Sequence, residues 1–366
     1  MTELNVHLDH AATGLPRHPD AVDAAARAAH MATPGRGRHG AQAAAAHVVR
    51  TARESVRGLV GAGTVCFTAG ATHALNQAIA GMRPRPRAVA VDPMAHNAVR
   101  RPLLALGVPI WILPHDESGR VDLGAACAEW EPVDLVVVTH ASNVTGLVQP
   151  AAEIIDIASK RGARAIVDAA QTAGLLPLGG LGGAAAIAFS SHKALRGLPG
   201  SGALVLGHGV DVEPLVTGGT GADAIEAAMP AELPERLEAG TPNLPGIASF
   251  GAAARAAPAA RWDWERASAQ LRESIARAGG RCVGAGELPV VAFELDGFSA
   301  TEVEEILDRS FGITVRAGLH CSPSAHETLG TIGRGTVRAS AGATTMADDL
   351  AALEAALRAI ARAAKS

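Results

Sequence analysis

Two residues that close or follow apolar segments have side chains suited to covalent chemistry. Asp168 closes the apolar segment 165–168, and Lys193 follows the next one, 185–190. A lysine can hold the aldehyde of pyridoxal 5'-phosphate (PLP) as a Schiff base, and a buried acid can keep the pyridine nitrogen protonated. Alone, Asp168 is better explained as a turn cap. The alternative for Lys193 is a surface lysine, against which the small-residue segment 197–202 indicates a tightly shaped loop. Together they predict a PLP enzyme that acts on amino acids.

Three further polar residues follow predicted strands. Thr72 lies in the small-residue turn 68–72, where backbone N–H groups at a helix start can approach an anion. The His96 imidazole could stack on a pyridine ring, or it could cap a helix. Asn143 could hold a cofactor oxygen or a substrate carboxylate, or it could be a turn asparagine.

Polar residues around Asp168 and Lys193 extend the predicted site. Gln171 lies one turn after Asp168 and could donate a hydrogen bond to a cofactor oxygen. Ser190 and His192 shortly precede Lys193, and both can hydrogen-bond a phosphate.

A second group of candidates lies near the end of the chain. Cys321 follows His320 in a polar loop and is close in sequence to Arg316, and a cation favours a thiolate. Most isolated cysteines are inert, so this loop does not prove a reactive thiol. Arg338, on a predicted strand, could clamp a carboxylate through two N–H groups, or it could be a surface arginine.

The elements that must position these residues alternate along the chain. Short apolar segments alternate with helical patterns, which predicts a mostly parallel sheet covered on both faces. In such sheets ligands bind at the carboxyl ends of the strands, where the polar residues above converge. The predicted strands of the sheet are 64–68, 88–92, 109–113, 135–139, 165–168, 185–190 and 203–206.

The pattern changes in the last third of the chain. A helical region, 247–278, precedes a strand at 289–295, a helix at 299–310 with a Ser299–Glu302 capping box, strands at 313–316 and 336–340, and a final helix at 346–363. We therefore expect a large domain at 16–249 and a smaller α+β domain at 250–366, joined by the N-terminal segment 1–15.

Composition narrows the classes of protein that the chain can represent. Its 366 residues are 48% hydrophobic and 19% charged, enough for a sizeable core. A net charge of −4 gives no basic surplus for nucleic acid or an anionic membrane. Neither a signal peptide nor a membrane span is predicted. The four cysteines form no CxxC, which argues against a disulfide framework or a metal site and favours a cytoplasmic location.

The ordered motifs resemble those of the class V aminotransferase superfamily. Within it the chain is most similar to the cysteine desulfurases, nearest their group II, selenocysteine lyase-like branch. The resemblance covers nearly the whole chain. It rests on segments 8–13, 68–76, 96–99, 142–146, 167–171, 190–193, 238–243, 316–321 and 337–340.

The resemblance implies a PLP-dependent transferase fold of type I, a homodimer and a role for each candidate. Lys193 would bind PLP, Cys321 would accept sulfur, and His96 would stack on the ring and join in catalysis. The implied substrate ligands are Asn143, His320 and Arg338. The other implied cofactor ligands are Ala71, Thr72, Asn143, Asp168, Gln171, Ser190, His192 and, across the dimer interface, Thr241.

The implied reaction converts cysteine to alanine and leaves a persulfide on Cys321 for a sulfur-acceptor protein. Selenocysteine lyase, a specialised PLP-dependent C–S lyase and a non-catalytic sulfur-relay paralogue are the alternatives. Three departures from the family pattern affect the substrate mouth more than the PLP site. His10 replaces a common asparagine, Leu319 replaces the first of two histidines, and segment 341–345 lacks a usual tyrosine–asparagine pair.

Overall fold

The structure is a computed structural model, and the residues it describes are 6–34, 40–129, 132–220, 226–257 and 262–363. Its strands in chain order are β1 Val6–His7, β2 Thr64–Thr68, β3 Met82–Arg83, β4 Val89–Val91, β5 Ile110–Ile112, β6 Leu135–Thr139, β7 Arg164–Asp168, β8 Ala186–Ser190, β9 Gly202–Leu206, β10 Asp211–Val212, β11 Arg281–Val283, β12 Val290–Glu294, β13 Ile313–Thr314, β14 Arg316–Gly318 and β15 Thr336–Ser340.

The α-helices alternate with these strands through the first two thirds of the chain. They are α1 Pro19–Ala28, α2 Gly40–Val60, α3 Ala71–Gly81, α4 Asn97–Leu106, α5 Leu123–Glu129, α6 Ala151–Lys160, α7 Leu244–Ala256, α8 Trp264–Arg277, α9 Ala300–Phe311, α10 Pro323–Thr328 and α11 Ala347–Ala363. Among the described residues, no helix is both long and apolar enough to cross a membrane.

The large sheet has seven strands in the order β2-β9-β8-β7-β6-β4-β5. Strands β5, β4, β6, β7 and β8 are parallel to one another, and β9 runs antiparallel between β8 and β2. The central strands are buried along their whole length, which explains why they read as unbroken apolar segments. The predicted mostly parallel, seven-stranded α/β sheet is confirmed.

Helices cover both faces of this sheet. On one face Val56 of α2, Ile154 of α6 and Phe250 of α7 share a buried cluster with the strands. On the other face Leu75 of α3 and Val99 of α4 share a second cluster. Because the helices cover the faces, the carboxyl strand ends stay open for polar side chains.

The smaller α+β unit is built on a four-stranded antiparallel sheet in the order β11-β12-β15-β14. Helices α8, α9 and α11 pack on it through Leu271, Leu307 and Leu357. The predicted capping box at the start of α9 is present, since the Ser299 side chain accepts from the Glu302 N–H and Glu302 accepts in return.

The helical region predicted at 247–278 consists of two helices, α7 and α8. Helix α7 crosses the predicted domain boundary at residue 250, and its Phe250 lies in the core of the large sheet. The predicted strand 313–316 is likewise two short strands. Of these, β13 pairs with the N-terminal β1 and β14 joins β15. The N-terminal segment therefore packs with the small unit, while the domain limits stay a prediction.

Candidate active site

A cavity of about 580 Å³ lies between the large sheet and the small unit. It collects the residues that follow separate strands, as the parallel topology requires. Of the predicted site residues, its lining includes Ala71, Thr72, His96, Asn143, Asp168, Gln171, Ser190, His192, Lys193, His320 and Arg338. Cys321 and Thr241 are not part of the lining. Both are exposed.

We call Asp168, Ser190 and Lys193 the lysine wall of the cavity. Asp168 ends β7, is 5% exposed, and its Oδ1 accepts the Ala170 N–H at 2.9 Å. Lys193 follows β8 and faces the cavity. Burial lowers the pKa of the Lys193 amine to about 8, and the cations of Arg338 and Arg316 add to that effect while Asp168 opposes it. About a tenth of the amine is therefore uncharged at pH 7, far more than for a lysine with the ordinary pKa.

The other strand-end residues add a ring and hydrogen-bonding groups. His96 caps the N-terminus of α4, where its Nδ1 accepts the Ala98 N–H at 3.0 Å. Since Nδ1 is an acceptor, the neutral ring carries its proton on Nε2. Burial lowers the His96 pKa. The Gln171 amide donates to the Ala11 carbonyl at 3.1 Å, so one of its two N–H groups is already bonded.

We call the three cavity-lining residues of the small unit, Arg316, His320 and Arg338, the cysteine wall, because Arg316 and His320 lie beside Cys321. Arg316 Nη2 lies 3.4 Å from Cys321 Sγ. His320 and Cys321 have φ of 50° and 58°, a left-handed backbone that is uncommon outside glycine and costs energy. The loop thus presents an exposed sulfur on a constrained backbone beside a cation.

The Cys321 loop is fixed from both units. The Asn97 N–H at the start of α4 donates to the Cys321 carbonyl at 2.8 Å. His320 is 2% exposed, and its Nε2 bonds Thr336 Oγ1 at 3.0 Å. Burial and neighbouring cations lower the pKa of His320 to about 2, so its ring is neutral.

Asn143 and Arg338 have protein partners in this structure. The Asn143 amide donates to the His320 carbonyl at 2.7 Å and accepts from Ser322 Oγ at 2.7 Å. Arg338 is 1% exposed, donates to the Asn143 carbonyl at 2.9 Å, and pairs with Asp9. Its Nε is buried without a partner. Asn143 therefore joins β6 to the Cys321 loop, and Arg338 keeps one donor free.

Asp9 is a site residue that sequence reasoning missed. Its carboxylate pairs with the buried Arg338 guanidinium, although the two residues are 329 positions apart in the sequence. Motif 8–13 was recognised by its resemblance, but no local signal pairs an acid there with an arginine on β15. The only signal in the sequence is that Asp9 lies within segment 8–13, one of the segments that carry the family resemblance.

Two of the three departures from the family pattern are neighbours in space. His10 Nε2 lies 3.3 Å from Thr345 Oγ1, although the residues are 335 positions apart. A Cβ atom on Gly342 would lie 2.3 Å from the His10 ring, so only glycine leaves room for this imidazole. The replacement at residue 10 and the altered segment 341–345 are therefore one packing unit.

The sheet, the small unit and the lysine at a strand end together define a PLP-dependent transferase fold of type I. The chain belongs to the aminotransferase class-V family, whose sequence model matches residues 6–353. It is 32% identical to a probable cysteine desulfurase of Methanothermobacter thermautotrophicus over 83% of this chain and 82% of that protein. A probable cysteine desulfurase of Pseudomonas putida is 30% identical over 86% and 83%.

Solved structures agree with these relatives. The apo cysteine desulfurase of Thermococcus onnurineus superposes with a TM-score of 0.88 at 26% identity, covering 98% of this chain and 95% of that one. The cysteine desulfurase CsdA of Escherichia coli, in an S-sulfonic acid form, gives 0.85 at 26% identity over 100% and 96%. The predicted fold and family are confirmed, while the selenocysteine lyase-like branch stays a prediction.

Proposed function

We propose that the protein is a PLP-dependent cysteine desulfurase. It converts L-cysteine to L-alanine and leaves a persulfide on Cys321. The observation that carries this proposal is a cavity lined by Lys193, Asp168 and two arginines, one of which, Arg316, contacts the Cys321 sulfur. Relatives with this name at about 30% identity over most of the chain support it.

The residues of the lysine wall fit PLP. Ser190 Oγ is buried without a partner and lines the cavity close to the start of α3, a pairing suited to a phosphate. Ala71 and Thr72 at that helix start, together with His192, supply further donors. Thr241 would add one from a second subunit, because it is exposed in this chain. Asp168 would hold the pyridinium N–H and His96 would cover the ring.

When bound, PLP supplies an electron-accepting ring that stabilises negative charge on the substrate α-carbon. The protein's own part begins with Lys193, whose amine holds the cofactor and then moves a proton at that carbon. Its lowered pKa of about 8 suits both tasks near neutral pH. Arg338, with its free Nε donor, would orient the substrate carboxylate, and Asn143 and His320 would hold the segment around it.

Sulfur transfer is the task of the cysteine wall. The Cys321 thiolate forms an S–S bond to the substrate sulfur as the substrate C–S bond breaks and its electron pair stays with the carbon product. One thiol and one cysteine thus become one persulfide and one alanine, with no external oxidant. Arg316 would stabilise the thiolate and the later perthiolate at its 3.4 Å contact.

The exposed position of Cys321 suits transfer of the persulfide to an acceptor protein. Exposed Leu215 and Val216, together with Thr241, support a homodimer in which each chain completes its partner's site. Cys66, Cys282 and Cys321, the cysteines whose side chains the structure describes, are all free, which supports a cytoplasmic location.

The test is a product assay on the PLP-loaded protein. Alanine and persulfide sulfur are measured with L-cysteine and with L-selenocysteine, each with and without reductant. Cys321→Ala is expected to keep PLP and lose sulfur release from cysteine. Cys282→Ala, at a half-buried thiol whose pKa is raised by burial, is the matched control and is expected to behave as wild type.

The outcomes separate the possible functions. A Cys321→Ala variant that still releases sulfur from cysteine at the wild-type rate would refute the persulfide role. Turnover of selenocysteine alone, independent of Cys321, would identify a selenocysteine lyase, because a selenolate leaves more readily than a thiolate. A protein that binds PLP but forms alanine from neither amino acid would be a sulfur-relay paralogue or a lyase for another substrate.

A further inference from the structure

The N-terminal segment 13–17 contacts His192 through its backbone carbonyl and its ring. The Gly14 N–H donates to the His192 carbonyl at 2.8 Å, and Arg17 Nη1 donates to the same oxygen at 3.0 Å. Thr13 Oγ1 lies 3.2 Å from His192 Nδ1 and 3.3 Å from that carbonyl. The segment can come this close to residues 192 and 193 only with glycine at position 14, because a Cβ there would lie 2.3 Å from the Lys193 carbonyl oxygen.

The hydroxyl proton of Thr13 has two possible acceptors, and the carbonyl is already saturated. A carbonyl oxygen has two lone pairs. Gly14 and Arg17 occupy both with shorter bonds than the Thr13 hydroxyl can make. The shorter contact and the free lone pair of Nδ1 favour donation by the Thr13 O–H to His192 Nδ1. An Nδ1 that accepts carries no proton, so the proton of the neutral ring lies on Nε2.

The His192 ring carries one N–H proton at neutral pH, because its pKa is lowered. Burial lowers its pKa to about 4, and the cations of Lys193 and Arg17 add to this effect. At neutral pH the ring is uncharged, with one nitrogen a donor and the other an acceptor. Phosphate oxygens at that pH chiefly accept hydrogen bonds, so the tautomer decides whether His192 attracts or repels a phosphate.

We propose that Thr13 is a positioning residue that fixes the Nε2–H tautomer of His192, so that an N–H donor faces the cavity where PLP phosphate would lie. The Thr13 contact occupies Nδ1, and His192 itself lines the cavity with Ser190. The role toward phosphate rests on the proposed function. The tautomer is a property of the protein alone and can be measured without cofactor.

The first measurement is made on apo-protein labelled with ¹⁵N-histidine. Long-range ¹H–¹⁵N correlation spectra distinguish the two neutral tautomers, and comparison with His192→Gln identifies the His192 signals among the 14 histidines. The wild type is expected to show the Nε2–H form. Thr13→Val, nearly isosteric but without a hydroxyl, is expected to show a mixture, and Thr13→Ser is expected to restore the single form.

The second measurement is PLP affinity, followed by visible absorbance during titration of the apo-protein. Thr13→Val is expected to raise the dissociation constant about tenfold, the ratio for one lost hydrogen bond to a charged group, and Thr13→Ser to leave it close to wild type. In a His192→Gln background the Thr13→Val effect is expected to vanish, because no imidazole is left to orient.

The proposal is overturned if wild-type His192 carries its proton on Nδ1. It is also overturned if Thr13→Val keeps the pure Nε2–H form, or if the valine variant weakens PLP binding equally with and without His192. Failure of the proposed function gives a different result. In that case the wild-type tautomer is found as expected, and PLP does not bind, or binds without any alanine being formed from cysteine.

Discussion

The lysine wall and the cysteine wall of the cavity are built in contrasting ways. Asp168 and Ser190 are the buried last residues of the central strands β7 and β8, and Lys193 follows the second of these strands. Cys321 lies in a loop between β14 and β15, exposed, with a left-handed backbone at two successive residues. The sheet fixes the groups that we propose to hold PLP, whereas the thiol that we propose to meet both substrate and acceptor protein lies at the surface.

The largest expected effect comes from removing the lysine wall's amine. Lys193→Ala is expected to lower cysteine turnover at least ~10²-fold, because both a covalent anchor and a proton-transfer group are lost. If the two walls act separately, the rate at which iodoacetamide alkylates Cys321 in Lys193→Ala apo-protein should stay close to the wild-type rate. Lys160→Ala, at a surface lysine on α6, is the control. Turnover that survives in Lys193→Ala would remove the lysine wall from the mechanism.

A smaller effect is expected from the charge pair behind the cysteine wall. Asp9→Asn leaves the buried Arg338 guanidinium without its counter-charge and is expected to lower the free energy of unfolding by about 3 kcal/mol. Denaturant unfolding of the apo-protein measures this loss. Asp156→Asn, which breaks an exposed pair on α6, should cost less than about 0.5 kcal/mol. Equal losses would mean that Arg338 does not depend on Asp9.

The ionisation of Lys193 gives a pH test of the lysine wall alone. Because burial lowers its pKa from 10.5 to about 8, the uncharged amine that reacts with an aldehyde increases through pH 8. The rate at which apo-protein captures PLP is therefore expected to rise with pH and to level off above about 8. The rate is followed by stopped-flow absorbance. A rise that continues to roughly 10, the ordinary range of lysine, would contradict the lowered pKa.

The smallest expected effect concerns the packing unit of His10, Gly342 and Thr345. Gly342→Ala places a methyl group against the His10 ring and is expected to destabilise the protein by about 1 to 2 kcal/mol through overpacking. The loss should shrink when His10→Asn is added. Gly333→Ala, where a Cβ would meet nothing within 4 Å, is the control. A loss that His10→Asn leaves unchanged would show that the two positions are not coupled.

Sequence reasoning succeeded where apolar pattern and chain order were enough. Strands β2 and β6 have the predicted limits, and the polar residues after separate strands share one cavity because parallel strands end at one edge. The helical region predicted at 247–278 consists of two helices, α7 and α8, because the alanine-rich sequence pattern continues between them. Sequence reasoning failed where a contact joins distant segments. Nothing local in the sequence joins Thr13 to His192, or His10 to Thr345.

The pairing of the N-terminal segment with the end of the chain has a consequence for the order of folding. Val6 and His7 of β1 pair with β13, and Asp9 pairs with Arg338, so contacts that complete the cavity span more than three hundred residues. On the ribosome the large sheet can close long before β13 and β15 have been synthesised. During that interval β1 lacks β13, its pairing strand, and Leu8 lacks the small-unit core in which it is buried. The cysteine wall is thus assembled last. Because its contacts join residues far apart in the sequence, this step is slow compared with the formation of local contacts.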